Sequence, residues 1–201
     1  MNQLPIYILA GGRSSRFGSD KTRAQLGGGP LIAQLVRLLA PVATGVTLIA
    51  DRADRYADLG LRGIADLRPG RGPLGGLETA LLDAGPGAWC GLIAGDWAGV
   101  RPEWLSLLME HRRVDARFVL FGRPRPEPLF GLYHASLLRT VAAQLDAGRL
   151  AMRDLIASVP GVVLPVPADW AEAVNINCQE DLERFIHGKG AAQCVTSAEK
   201  S

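Results

Sequence analysis

An α/β fold is predicted for this 201-residue chain, with a parallel sheet covered on both faces by helices. Three observations predict it. Short apolar runs recur at Leu4–Leu9, 46–50, Trp89–Ala94, 117–121 and 162–166, each of strand length. Segments of helical period separate the first of these runs, as parallel strands require of their connections. The composition, 48% hydrophobic and 21% charged, is that of an ordinary globular domain with enough chain for a substantial core.

The elements follow in order. The run Leu4–Leu9 empties into Leu9-Ala10-Gly11-Gly12-Arg13-Ser14-Ser15-Arg16-Phe17-Gly18-Ser19-Asp20-Lys21, which is rich in glycine and carries three cations. Pro30 then opens a helix whose Leu31, Ile32, Leu35, Val36, Leu38 and Leu39 fall at helical spacing. A second short helix is expected over 52–59, and a brief strand-like run, Gly63-Ile64-Ala65, delivers Asp66. A third helix is expected over 74–83 and a fourth over 102–113, with Trp104, Leu107 and Leu108 on one side. After Phe121 the pattern changes. Arg123-Pro124-Arg125-Pro126-Glu127-Pro128 is read as irregular, because proline removes a donor and restricts the residue before it. A strand over 129–133, helices over 135–147 and 151–158, and a final helix over 180–186 complete the chain. Residues 1–187 are expected to form one domain and 188–201, small and polar, a frayed and flexible tail.

Charge and cysteine usage exclude several classes. With 22 basic and 20 acidic residues the net charge is only +2, too balanced for a nucleic-acid coat or a polybasic membrane anchor. Any anionic ligand must therefore be met by locally focused charge. Cys90, Cys178 and Cys194 are scattered and odd in number, and His111, His134 and His187 are equally dispersed, so neither a disulfide framework nor a zinc site is implied. No apolar run reaches membrane-spanning length and no leader pattern precedes the glycine loop, so a reduced, cytoplasmic location is the default expectation.

The loop 9–21 carries the chemistry. Glycines let backbone N–H groups approach phosphate oxygens closely, and Arg13, Arg16 and Lys21 supply positive charge. It is neither a Walker loop, since Asp20 precedes the lysine, nor a dinucleotide fingerprint, since Gly11, Gly12 and Gly18 are wrongly spaced. Ligands of open parallel sheets bind at the carboxyl ends of the strands. Asp66 and Asp96 fall at such ends, and a carboxylate facing a triphosphate loop suits Mg²⁺, which takes one or two carboxylates plus phosphate oxygens. Each aspartate reads equally as a helix cap or turn residue. Arg71-Gly72-Pro73-Leu74-Gly75-Gly76 is a second glycine-rich turn opening a helix, an anion site or a plain turn. Asn175-Ile176-Asn177 can cap the last helix or offer amides to a polar ligand, while Trp97, Trp104 and Trp170 read as packing residues.

These residues resemble a known family. Leu9-Ala10-Gly11-Gly12, Arg16-Phe17-Gly18, Asp20-Lys21, Gly29-Pro30-Leu31, Asp66 and Gly72-Pro73-Leu74-Gly75-Gly76 are similar to the motifs of nucleotidyltransferases. Within that superfamily, Pro126-Glu127-Pro128-Leu129-Phe130-Gly131-Leu132-Tyr133 and Asn175-Ile176-Asn177-Cys178-Gln179-Glu180-Asp181-Leu182 resemble segments of the molybdenum cofactor guanylyltransferases, the MobA family. The resemblance spans about residues 4–185. It implies a three-layer Rossmann-like nucleotidyltransferase fold with a mostly parallel sheet, and transfer of GMP from GTP to the phosphate of molybdopterin. By position, Leu9, Ala10, Gly11, Gly12 and Arg13 would contact GTP, with Ile49, Asp66 and Lys21; Asp96 would hold Mg²⁺; Lys21, Asp96 and Arg16 would be catalytic. Glu127, Pro128, Asn175 and Asn177 would meet molybdopterin. Implied partners are the two substrates and molybdoenzymes or their chaperones, with a monomer or weak oligomer as the working state. Two departures stand out: Ile49 fills the place of a family asparagine, and Asp96-Trp97-Ala98 replaces the family's Asp-x-Pro. Cytidylyl transfer, transfer to a sugar phosphate and a catalytically silent nucleotide-binding module remain open at this point.

Overall fold

The first strand, β1 (Leu4–Leu9), is buried at Leu4, Ile6, Tyr7 and Ile8, as an apolar strand at the centre of a doubly covered sheet must be. The structure, a computed structural model, describes residues 3–11 and 20–198, and beyond Gly188 only the course of the backbone. Eight further strands follow: β2 (Ala43–Ala50), β3 (Gly63–Ala65), β4 (Trp89–Ala94), β5 (Trp97–Ala98), β6 (Phe118–Gly122), β7 (Pro126–His134), β8 (Val162–Leu164) and β9 (Val174–Asn175). Seven of them form one sheet in the order β3-β2-β1-β4-β7-β6-β8. All are parallel except β7, which runs antiparallel to both β4 and β6. Leu9 lies opposite both Ile49 of β2 and Ala94 of β4, so three strand ends are level at one edge.

Helices α1 (Leu31–Leu39) and α3 (Pro102–Glu110) cover one face, and α2 (Gly72–Ala84), α4 (Leu138–Asp146) and α5 (Met152–Ser158) the other. The strand period of two sorts the side chains between two core layers. Ile6 and Ile8 pack with Ile32, Leu35 and Leu108 on one side; Tyr7 joins Leu74, Leu77 and Val141 on the other. Each fully buried leucine or isoleucine contributes about 1.5–3 kcal/mol, and the two layers together hold the sheet edge rigid.

Three expectations differ from the structure, and one pairing had no expectation to match. Residues 52–59 form no α-helix, only turns and a 3-10 turn over Ala57–Leu59 closed by Gly60 at φ 67°. Here Tyr56 is drawn into the core, 1% exposed, and a regular helix cannot follow that detour. Strand β7 begins at Pro126 rather than at 129. Its register with β4 stops at Phe130, and Pro126 meets Gly122 beyond an irregularity in the β6 ladder, so neither proline has to donate to β4. The last helix, α6 (Gln179–Ala198), continues past Ile186, where Ala191, Ala192 and Gln193 are favourable helix residues beyond Gly188 and Gly190. Finally, β5 and β9 pair as a two-stranded antiparallel ribbon, Trp97 opposite Asn175 and Ala98 opposite Val174, which two-residue runs gave no means of predicting.

Candidate functional site

The rungs of the sheet continue one step beyond the strand ends. The Ala10 amide donates to the Ile49 carbonyl at 2.9 Å, the Gly95 amide to Leu9 at 2.9 Å, and the Asp66 amide to Ala50 at 2.7 Å. Three sequence-predicted positions are thereby held side by side. Above them lies a cleft of about 490 Å³, walled by Leu9–Gly11, Asp20–Thr22, Asp66, the start of α2, Asp96 and Leu129. Gly76 shapes that wall: a Cβ there would stand 2.3 Å from Leu9 Cδ2, so a larger residue would have to push the Leu9 side chain aside at the end of β1.

Lys21 and Asp96 meet in the cleft. Lys21 Nζ donates to Asp96 Oδ2 at 2.5 Å and to Asn177 Oδ1 at 3.2 Å, uniting groups from three remote segments. The ribbon makes this possible. It sets the Ile176 amide on the Asp96 carbonyl at 2.8 Å, so Asn177 follows directly beside Asp96. Asp181 then caps α6 by accepting from the Asn177 and Cys178 amides at 2.9 and 3.1 Å, holding that turn. The Trp97–Asn175 and Ala98–Val174 pairs hold the backbone directly after Asp96, where this chain has no proline. Asp96 Oδ1 is buried and has no hydrogen-bond partner among the described residues. An unpaired carboxylate oxygen in that setting suits a cation supplied with a ligand. No group of three or more His, Cys, Asp or Glu side chains among the described residues could hold a metal by itself.

The remaining candidates divide. Asp66 Oδ1 accepts from the Arg68 amide at 3.0 Å and from the Thr79 hydroxyl at 3.3 Å, a turn-closing role that also places the carboxylate on the cleft wall. Ile49 is 2% exposed within the core layer of Leu74 and Leu77 and borders the cleft with no polar side-chain group to offer. Glu127 accepts from the Leu129 amide at 3.1 Å, and burial first, then the nearby Asp96 charge, push its carboxyl above the ordinary range. Pro128 offers its carbonyl to the fully buried Tyr133 hydroxyl at 2.7 Å, so that carbonyl is engaged inside the fold. Asn175 is exposed on the ribbon. Gly12, Arg13 and Arg16 lie outside the described residues. Trp97 and Trp104, 4% and 3% exposed, pack edge-on against Phe130 as core residues, with Trp170 edge-on to Trp97 and tilted at 38° to Trp104.

Sequence reading missed one group. Asp20 accepts from the Thr22 amide and hydroxyl at 3.1 and 2.6 Å and from Arg55 Nη2 at 2.9 Å, with the Tyr56 hydroxyl 3.0 Å away. Burial opposes the charge, but the Thr22, Arg55 and Tyr56 hydrogen bonds outweigh it and hold the Asp20 carboxyl below its usual value. No spacing signals Arg55 or Tyr56, which fall in a segment read as helix.

The model of the MobA-like NTP transferase domain matches residues 6–162. The chain belongs to that family. It is therefore a nucleotidyltransferase, as its sheet-edge cleft suggests. It is 38% identical over 192 residues to a probable molybdenum cofactor guanylyltransferase of Deinococcus radiodurans, covering 94% of this chain and 97% of the relative. A protein of the same description from Carboxydothermus hydrogenoformans is 37% identical, covering 92% and 96% of the two chains. The crystal structure of molybdopterin-guanine dinucleotide biosynthesis protein A from Archaeoglobus fulgidus superposes with a TM-score of 0.79 at 24% identity, covering 93% and 99%, and bears out the three-layer fold.

Proposed function

We propose that this MobA-like enzyme transfers GMP from GTP to the terminal phosphate of molybdopterin, releasing pyrophosphate. The observation that carries the reading is the junction of Lys21, Asp96 and Asn177 at the mouth of a cleft that ends on the Leu9–Gly11 backbone. A nucleoside bound against Leu9, Ala10 and Gly11, with Asp66 on the wall, would extend its phosphates towards Lys21, and by family resemblance Asn175, Asn177, Glu127 and Pro128 would meet the acceptor.

Nucleotidyl transfer asks a protein chiefly for positioning and charge neutralisation. A molybdopterin phosphate oxygen attacks the α-phosphorus in line, the new P–O bond forms, and the bond to the β-phosphate breaks with pyrophosphate leaving. The nucleophile is ionised near neutral pH, so no general base is needed. Lys21, released from Asp96 onto the phosphates, offsets the charge gathering on the leaving group, and by family resemblance Arg13 and Arg16 assist. Asp96 would hold a divalent cation through its unpaired Oδ1. That cation, Mg²⁺ in this reading, supplies neutralisation of α-phosphate charge when bound. Asn177, whose Oδ1 accepts from Lys21 Nζ at 3.2 Å, would keep Lys21 near the reacting phosphates if Asp96 held the cation.

The test is incubation with each of the four labelled triphosphates, Mg²⁺ and molybdopterin, followed by identification of the product. Consumption of GTP with a guanine dinucleotide product is expected. Consumption of CTP instead, or nucleotide binding without pyrophosphate release, would overturn the assignment.

A further inference from the structure

We propose that Tyr56 and Arg55 are positioning residues that couple the nucleoside-binding backbone at the end of β1 to the phosphate-binding Lys21. The inference rests on the function proposed above. Neither residue lines the cleft as Lys21 and Asp96 do; both act through what they hold.

The Tyr56 hydroxyl sits 2.9 Å from the Ala10 carbonyl, 2.8 Å from Thr22 Oγ1 and 3.0 Å from Asp20 Oδ2. Ala10 lies at one end of the cleft, and Asp20 and Thr22 flank Lys21 on either side in the chain. A single buried hydroxyl thus touches both ends of the segment that meets the ligand. The protons of Tyr56 and Thr22 are shared among their four contacts, the fourth being Thr22 to Asp20 Oδ1 at 2.6 Å, so a change in any one is felt by the others.

Arg55 has a different task. It donates to Asp20 Oδ2 through Nη2 at 2.9 Å and Nε at 3.3 Å, and to Asp51 Oδ1 through Nη1 at 2.8 Å, tying the end of β2 to the end of the phosphate loop. Arg55 also faces the Tyr56 ring, with the Arg55 and Arg23 guanidinium carbons 5.7 and 5.1 Å from its centroid; Arg23 donates to the Arg55 carbonyl at 2.7 Å, pairs with Asp58 at 2.7 Å and lies 3.9 Å from Asp20 Oδ2, a longer contact than that of Arg55. Asp20 and Lys21 are adjacent in sequence. Without Arg55, a largely buried carboxylate beside Lys21 would lack its main cation and would compete with Asp96 and phosphate for the Lys21 ammonium. The two-nitrogen fork prevents that by saturating Asp20.

Two ligands separate these roles. GMP engages the nucleoside end, whereas GTP engages both ends. Titration calorimetry of GTP and GMP, each with Mg²⁺, on the full chain is compared for wild type, Arg55→Met and Tyr56→Phe, with thermal melting of each. Arg55→Met is expected to weaken GTP about tenfold and GMP by no more than about threefold, since the Lys21 end loses its contact directly and the Ala10 end feels the change only through Tyr56 and Asp51. Tyr56→Phe, which keeps the ring, is expected to weaken both ligands by about three- to tenfold because it also frees the Ala10 carbonyl. Should Arg55→Met fail to fold, Arg55→Lys keeps a charge opposite Asp20 without the fork, and about a threefold loss confined to GTP is expected. Equal effects of the Arg55 variants on GTP and GMP, or a lowered melting temperature with unchanged affinities, would reduce the group to a structural brace and overturn the proposal. A wild-type protein that binds no GTP would instead overturn the proposed function.

Discussion

Asp96→Asn tests the site most directly, because its effects on stability and on turnover should separate. In the free protein the carboxylate attracts Lys21 at 2.5 Å, with the side chains 24% and 16% exposed for lysine and aspartate. At the effective dielectric of a partly exposed pair the gross attraction is about 4 kcal/mol at 4 Å, but desolvation and ordering reduce the net contribution to about 1 kcal/mol. Asp96 Oδ1 offsets even that, since it is buried without a partner among the described residues. Asparagine keeps the shape, so the change in folding free energy should lie within about 1 kcal/mol of zero. For a domain of this size that is a melting shift of about 2–4 °C at most. Turnover should respond differently. Removing one group aimed at developing charge costs about 10²–10³-fold in related chemistry, or about 2.7–4 kcal/mol. Pyrophosphate release at saturating GTP and Mg²⁺, measured beside a thermal melt, gives both numbers. A variant keeping more than about a tenth of wild-type turnover would refute the cation assignment, and one melting far lower with proportionate inactivation would make Asp96 a structural residue.

Three other predictions follow from neighbouring geometry. Gly95→Ala should destabilise by about 1–3 kcal/mol in urea unfolding, because its Cβ would lie 2.9 Å from the Leu9 carbonyl oxygen and 3.1 Å from Ile32 Cδ1, where backbone cannot yield; Asp96 should be displaced with it and activity lost. Glu127→Gln should raise the melting temperature at pH 7.5. Its folded carboxyl titrates above the ordinary range, so charging it at neutral pH works against folding; the difference should shrink towards zero as pH falls below about 4, where the unfolded carboxyl is protonated too. Asp181→Ala should cost about 1 kcal/mol in chemical unfolding through loss of the α6 cap, and should loosen Asn177 enough to raise the KM for the acceptor more than that for GTP.

The legible parts of the fold share one property: their signals are local. Leu4–Leu9 and Trp89–Ala94 are apolar runs between turn residues, and the strands occupy the same residues. Pro30 opened α1 as expected because proline suits a first turn. Where a distant contact overrode local preference, reading failed. Tyr56 abandoned a helical segment for the buried pocket under Ala10 and Asp20. Pro126 and Pro128 entered a strand because β7 outruns the end of β4, leaving no amide partner to be missed. Of the site, Lys21, Asp66 and Asp96 could be placed by their positions after strands, and Asn177 by family resemblance, whereas Arg55 and Tyr56 carried no mark at all.

Residue chemistry along the chain was enough to predict an α/β sheet and to place Asp66 and Asp96 just past the ends of its strands, since periodicity and glycine placement act over a few residues. The meeting of Lys21, Asp96 and Asn177 is another matter. It depends on a ribbon of two residues on each side, Trp97–Ala98 against Val174–Asn175, whose pairing is worth little by itself and exists because the closed core brings its halves together. Burial of Tyr56 likewise comes from the packed sheet, which sets its hydroxyl against oxygens of Ala10, Thr22 and Asp20 that lie 46, 34 and 36 residues away along the chain.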